Sequence, residues 1–246
     1  MTGRIRVGIG GWVYEPWRGS FYPQGLRQKD ELAYVGEHLT ATEINATYYS
    51  SQKPATFAGW AKAVPDGFQF AAKASRYCTN RKVLAEAGES VAKFTGQGIV
   101  ELGDRLGPIL WQFMATKRFD PDDFSAFLKL LPASVDGVPL RHALEVRHDS
   151  FADPAFLAMA RDAGAAVVFA DHADYPAIQG HDVGFSYMRL MRTQAEEPTG
   201  YDATAIAGWA DRARGEAERG DVFSFFISGA KERNPAAAQA MIVALK

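Results

Sequence analysis

A single cysteine, Cys78, is present in the chain, which excludes an internal disulfide and a cysteine metal cluster. No apolar run approaches the length of a membrane span. No block of one charge occurs either: 27 Lys and Arg balance 29 Asp and Glu, for a net charge near −2. That total offers no electrostatic footprint for tight nucleic-acid binding. Tight metal motifs such as HxH or HExxH are missing. A strand-like run begins as early as residue 5, ahead of which no signal peptide is expected. These absences lead to the expectation of a cytoplasmic protein with no membrane partner.

What the sequence does contain is alternation. Apolar runs at 5–10, 42–48, 68–75, 108–114, 143–148, 165–171, 185–190 and 222–228 read as strands. Helical patterns at 29–38, 55–64, 89–106, 121–131, 154–163, 203–219 and 235–245 lie between and after them. Asp153-Pro154 and Asn234-Pro235 each place a capping side chain before a proline at a helix start, and Gly164 is expected to close a helix. Regular strand–helix alternation predicts a parallel sheet wrapped by helices. Eight units in 246 residues fit one α/β domain over 1–246, a closed (β/α)8 TIM barrel. The rival, an open doubly wound sheet, usually carries a glycine-rich phosphate turn opening a helix after its first strand. Here Gly8-Ile9-Gly10-Gly11 runs into Trp12-Val13-Tyr14-Glu15-Pro16 instead.

The stretch Ala143-Leu144-Glu145-Val146-Arg147-His148 sets the polarity of such a barrel. Glu145 and Arg147 are two apart and share a strand face, with Leu144 and Val146 on the other. A polar inner face makes sense at the carboxyl mouth, where barrel active sites sit. Other strands end in the same way: Glu43, Asn45 and Thr47 on the second, Lys73 on the third, Gln112 on the fourth, Asp171 on the sixth, Arg189 with Tyr187 on the seventh. Structural ion pairs are the competing account, with Glu145–Arg147 and Glu43–Lys73 as the candidate pairs. Three carboxylates, three fixed cations and an imidazole at one mouth fit a site for an anionic substrate.

Two loops add to this. Trp12, Tyr14, Trp17, Phe21 and Tyr22 follow the first strand, either to stack a ring of a ligand or to form a small satellite core, the reading we favour. The last loop, 228–235, carries Lys231 and Arg233 towards a helix start, a common place for phosphate; a plain glycine turn with solvated charges is its alternative. A divalent-metal site drawn from His148, His172, Glu43, Glu145 and Asp171 is opposed by Arg147 in their midst. Cys78 has no histidine at a telling spacing and reads as a bystander.

Several motifs together resemble the DUF72 (YecE-like) family. They are Gly8-Ile9-Gly10-Gly11-Trp12, Trp17-Arg18-Gly19-Ser20-Phe21-Tyr22-Pro23, Glu43-Ile44-Asn45-Ala46-Thr47-Tyr48-Tyr49, Phe68-Gln69-Phe70-Ala71-Ala72-Lys73, Leu106-Gly107-Pro108-Ile109-Leu110-Trp111-Gln112-Phe113 and Leu144-Glu145-Val146-Arg147-His148-Asp149-Ser150. The resemblance implies a TIM barrel and brings no reaction with it. It implies shared polar positions at Glu43, Asn45, Lys73, Gln112, Glu145, Arg147, His148 and Arg189. The chain departs from the family pattern at Met114-Ala115, where prolines are usual, at Met191-Arg192, where His-Gly is usual, and at Ile227-Ser228, where asparagine is usual.

The expected function is therefore that of an enzyme acting on a phosphorylated or carboxylated small molecule, with isomerisation, elimination and hydrolysis all open as its reaction. Arg147 and Arg189 would clamp the anion, with Asn45, Gln112, Asp171, Trp12 and Lys231 as further substrate contacts. Glu145 or Glu43 would act as base, His148 as acid, and Lys73 would stabilise developing charge. No cofactor and no protein partner is identified by any motif. A phosphodiester-acting or nucleic-acid-binding barrel, with or without metal, is the second reading. A non-catalytic ligand-binding barrel is the third.

Overall fold

In the computed structural model, which describes residues 2–180 and 183–246, the strands are β1 (Ile5–Gly10), β2 (Ala41–Ile44), β3 (Gln69–Lys73), β4 (Leu106–Gln112), β5 (His142–Glu145), β6 (Ala166–Val167 and Phe169–Asp171), β7 (Phe185–Leu190) and β8 (Asp221–Phe226). Every pairing among them is parallel. The order runs from β6 through β5, β4, β3, β2 and β1 to β8 and β7, then back to β6. The first piece of β6 pairs with β5 and the second with β7, so the sheet closes at Val168. This is the expected TIM barrel.

Two apolar layers follow from strand alternation. Val7, Ile9, Ile44, Phe70, Ile109, Leu144 and Val146 face outward, into the layer under the helices. Ala41, Ala71, Leu110, Ala143, Ala166, Tyr187, Phe223 and Phe225 fill the interior. Small side chains on β2, β3, β5 and β6 thus oppose aromatic rings on β7 and β8. The amino end is plugged by Asp221, whose Oδ2 accepts from Arg6 at 2.9 Å and Arg141 at 3.3 Å. With that end filled and the middle apolar, the interior's remaining polar residues gather at the carboxyl mouth.

Differences from the expected elements have local causes. The second strand stops at Ile44 rather than running on to 48, and Ala46–Tyr49 is a helical turn. There the Thr47 hydroxyl donates to the carbonyls of Ile44 (3.0 Å) and Lys73 (2.7 Å), taking acceptors a longer strand would use. The helix expected over 89–106 divides into Gly88–Thr95 and the 3-10 segment Ile99–Arg105. Gly98 separates them at φ 103°, a conformation that favours glycine. Asn234 is a correction: it lies inside the helix Asn234–Ala244, and its side chain makes no cap.

Asp153 does cap, its Oδ1 accepting from the Ala155 N–H at 2.8 Å ahead of Pro154. Asp153→Ala is expected to cost about 1 kcal/mol, read as a lower urea midpoint at unchanged slope. No helix among the described residues is long and apolar enough to cross a membrane.

Candidate functional site

Three strands bring one charged knot together. Glu43 ends the inward face of β2, Glu145 that of β5, and Tyr187 and Arg189 follow one another on the inward face of β7. Arg189 grips Glu43 with two bonds, Nε to Oε1 at 3.0 Å and Nη2 to Oε2 at 3.1 Å. Its Nη1 donates to Glu145 Oε2 at 2.5 Å. Tyr187 donates its hydroxyl to Glu43 Oε1 at 2.6 Å. Gln112 Nε2 donates to both oxygens of Glu145 at 3.1 Å, and Arg147 Nε to Oε1 at 2.7 Å. Both glutamates are completely buried.

The electrostatics follow from that packing. Burial favours a neutral Glu145, but Arg189, Arg147 and the Gln112 amide outweigh it and hold the carboxyl down to about 2. Burial also works against charge on Arg189, and the two glutamates overcome it, fixing the guanidinium as a cation. Burial and the neighbouring Glu43 raise the Tyr187 phenol well above its ordinary range.

Above the knot opens a cavity of about 580 Å³ at the carboxyl ends of the strands. Its cationic lining is Lys73, Arg147, Arg189 and Lys231; Asn45 and Gln112 add amides, and Trp12 and Trp60 an aromatic wall. No carboxylate lines it among the described residues. Arg147 and Arg189 are neutralised by the glutamates beneath. Lys73 and Lys231 have no carboxylate within ion-pair distance among the described residues, so the cavity keeps an excess of positive charge. Lys73 Nζ rests 4.2 Å from the centre of the Tyr48 ring, and Lys231 Nζ 4.1 Å from that of Tyr14. Burial first, then the like charge of Arg189, lowers Lys73 to about 8.

The mouth therefore assembles Glu43, Asn45, Lys73, Gln112, Glu145, Arg147, Arg189, Trp12 and Lys231, but in two tiers. Glu43 and Glu145 lie beneath the cavity and do not line it. The candidate pair Glu43–Lys73 is not made; Glu43 pairs with Arg189 across the barrel. Two residues are turned to other work. His148 Nδ1 accepts from the Ser150 N–H at 3.1 Å, and its Nε2 lies 3.4 Å from Arg118. Asp171 accepts from the Tyr201 hydroxyl at 2.7 Å and faces Arg192 at 3.9 Å. Neither lines the cavity. No group of three His, Cys, Asp or Glu that could hold a metal occurs among the described residues.

The first loop divides as well. Trp17 and Tyr22 are buried in the outer core, with Tyr14, Trp17, Phe21 and Tyr22 packed ring on ring, while Trp12 reaches the cavity and meets Trp60 edge-on at 5.2 Å. In the last loop Lys231 lines the cavity, whereas Arg233 donates to the Ala195 carbonyl at 3.0 Å.

Some contributors were not evident from strand ends. Asn234 Nδ2 donates to the Ser228 carbonyl at 3.2 Å, and Thr193 Oγ1 donates to Asn234 Oδ1 at 2.8 Å. Together they hold Ser228 at φ 62°, uncommon for a residue other than glycine, at the cavity edge. Tyr175 lies under the Arg147 guanidinium at 4.5 Å. These contacts join separate loops, and no local pattern signals them.

A family model described as "Protein of unknown function DUF72" matches residues 6–246. A DUF72 family protein of Enterococcus faecalis V583 superposes with a TM-score of 0.75 at 20% identity, covering 99% of this chain and 98% of that one. One from Thermotoga maritima MSB8 gives 0.74 at 20% identity, with 97% of each chain covered. The structure of SacUVDE gives 0.57 at 11% identity, covering 98% and 97%. At these identities the structures share the fold. No curated protein matches the chain.

Proposed function

The chain belongs to the DUF72 family, and on that footing we propose that its barrel mouth binds a small phosphorylated or carboxylated molecule. One observation carries the reading: four cations and no carboxylate line the cavity among the described residues, and two of the four, Lys73 and Lys231, lack an acidic partner there. An anion entering the cavity supplies that partner. The Asn45 side chain, with no hydrogen bond among the described residues, is free to orient it. Trp12 and Trp60 cover its less polar part.

In this reading Glu43 and Glu145 are a scaffold. Their oxygens are occupied, they do not line the cavity, and a carboxyl held down to about 2 is a weak base at neutral pH. They hold Arg189 and Arg147 in place, so that ligand binding does not have to order two long side chains. Any proton transfer to a bound molecule then falls to Lys73, whose value burial and Arg189 lower to about 8 within the cavity.

Calorimetric titration with inorganic phosphate and with phosphorylated and carboxylated metabolites tests this. Binding is expected, about tenfold or more weaker in Lys73→Met and in Lys231→Met, since a charge-assisted hydrogen bond is worth about 1.5–3 kcal/mol. Affinity is expected to fall as pH rises through about 8, where Lys73 loses its proton. Absence of binding across the panel, or unchanged affinity in both variants, overturns the proposal.

A further inference from the structure

We propose that Lys73 is a covalent amine, forming an imine with an aldehyde or ketone that carries an anionic group. The inference rests on the anion-binding reading above and names a substrate class for the same cavity. Its basis is the contrast between Lys73 and the arginines that end inside this barrel. Arg6, Arg141, Arg147 and Arg189 each face a carboxylate. Lys73 ends β3 on the inward face, lines the cavity, and makes no ion pair or side-chain hydrogen bond among the described residues. Arginine would serve better for anion binding alone, because it chelates with two N–H groups and always keeps its charge. A lysine can become neutral, and only a neutral amine is a nucleophile.

The surroundings favour the neutral form and hold the amine in place. Burial, then the nearby Arg189, lowers Lys73 to about 8, leaving a usable fraction unprotonated at neutral pH. Thr47 Oγ1 anchors the Lys73 carbonyl at 2.7 Å. The Tyr48 ring backs Nζ and is itself held by Asn80 Nδ2, which donates to its hydroxyl at 3.0 Å. Arg147, Arg189, Lys231 and Asn45 line the same cavity and would take the anionic group, setting an adjacent carbonyl carbon before Nζ.

The chemistry balances without a further reactant. The Nζ lone pair forms a bond to the carbonyl carbon, and the C=O π pair moves to oxygen. That oxygen takes one proton from the amine, through water, to give a carbinolamine. A second proton from solvent lets it leave as water, and the nitrogen lone pair closes the C=N bond. The product is a protonated imine, so the site has the same charge as with an ammonium.

Glyoxylate with sodium cyanoborohydride on the intact protein is the test. The reductant traps an imine as a stable secondary amine that peptide mass mapping locates. One adduct per chain is expected at Lys73, formed at least tenfold faster than at the exposed Lys62, with a rate that rises with half-maximum near pH 8. Propanal, uncharged, is expected to label Lys73 at least tenfold more slowly, and added inorganic phosphate to slow glyoxylate. Lys73→Arg is expected to bind phosphate and to lose the adduct. Labelling of Lys73 no faster than Lys62, or equally fast by propanal, overturns the proposal. Phosphate binding without preferential labelling removes the covalent role and leaves anion binding intact. Failure of both phosphate and glyoxylate to engage the cavity removes both.

Discussion

Replacing Arg189 by Met is expected to destabilise the barrel by about 3–5 kcal/mol, the usual cost of removing one partner from a buried ion pair. The guanidinium makes three bonds to two carboxylates that are completely buried. Without it Glu43 keeps the Tyr187 hydroxyl, and Glu145 keeps Gln112 and Arg147. Arg147 still neutralises Glu145, but the neutral Tyr187 hydroxyl does not neutralise the buried Glu43. Urea unfolding is the measurement, with circular dichroism of the folded baseline to confirm the barrel. The double variant Glu43→Gln, Arg189→Met is expected to recover most of the loss, because Arg147 still pairs with Glu145 and the one carboxylate left without a cation is removed. Wild-type stability in the single variant would show that the knot does not hold the mouth.

The same knot sets a pH dependence. Glu145 titrates near 4.5 when unfolded and is held down to about 2 in the fold. A depressed carboxyl stabilises the folded state fully above its unfolded value, and the contribution is lost as pH falls from about 4.5 towards about 2. Lys73 has the opposite sign. Its folded value is lowered from 10.5 to about 8, so its charged form costs stability below about 8, and that cost is relieved as pH rises towards 10.5. Because Arg189 is the largest cause of that depression, Arg189→Met is expected to lose less stability than the wild type as pH falls from about 4.5 towards about 2.

Gly8→Ala is expected to cost about 3 kcal/mol or more, at or beyond the upper end for overpacking a core. A Cβ on Gly8 would meet the Ala41 carbonyl oxygen at 1.9 Å and its carbon at 2.5 Å. Gly8 is paired with Ala41 in the β1–β2 register, so the clash is with strand backbone and no rotamer relieves it. Relief requires moving β1 from β2, and the closed ring carries any such shift into its other pairings. Gly208→Ala is the control. Gly208 is exposed in the helix Ala203–Ala217, with nothing within 4 Å of an added Cβ. It is expected to gain about 0.5–1 kcal/mol. Equal urea midpoints for the two variants would contradict the argument.

Local pattern made the strand–helix order readable, because side-chain periods of two and of about 3.6 are properties of neighbouring residues. It also made the inward face of Ala143–Arg147 readable, since Glu145 and Arg147 are two apart and do pair, at 2.7 Å. The assignment of polar strand ends to one mouth followed from the same alternation. Pairing across the barrel could not be read in this way. Glu43 and Arg189 are 146 positions apart, and their meeting depends on the stagger of strands around a closed ring. Charge and strand order allow Glu43 to pair with Lys73 as one candidate; the ring gave that carboxylate to Arg189 and left the amine facing the cavity. His148 and Asp171 occupy rim positions like the others, yet a turn amide and the Tyr201 hydroxyl engage them. Sequence pattern thus indicates which groups reach the mouth. Which of them are neutralised beneath it, and which remain available to a ligand, depends on contacts between distant segments that form only once the sheet has closed.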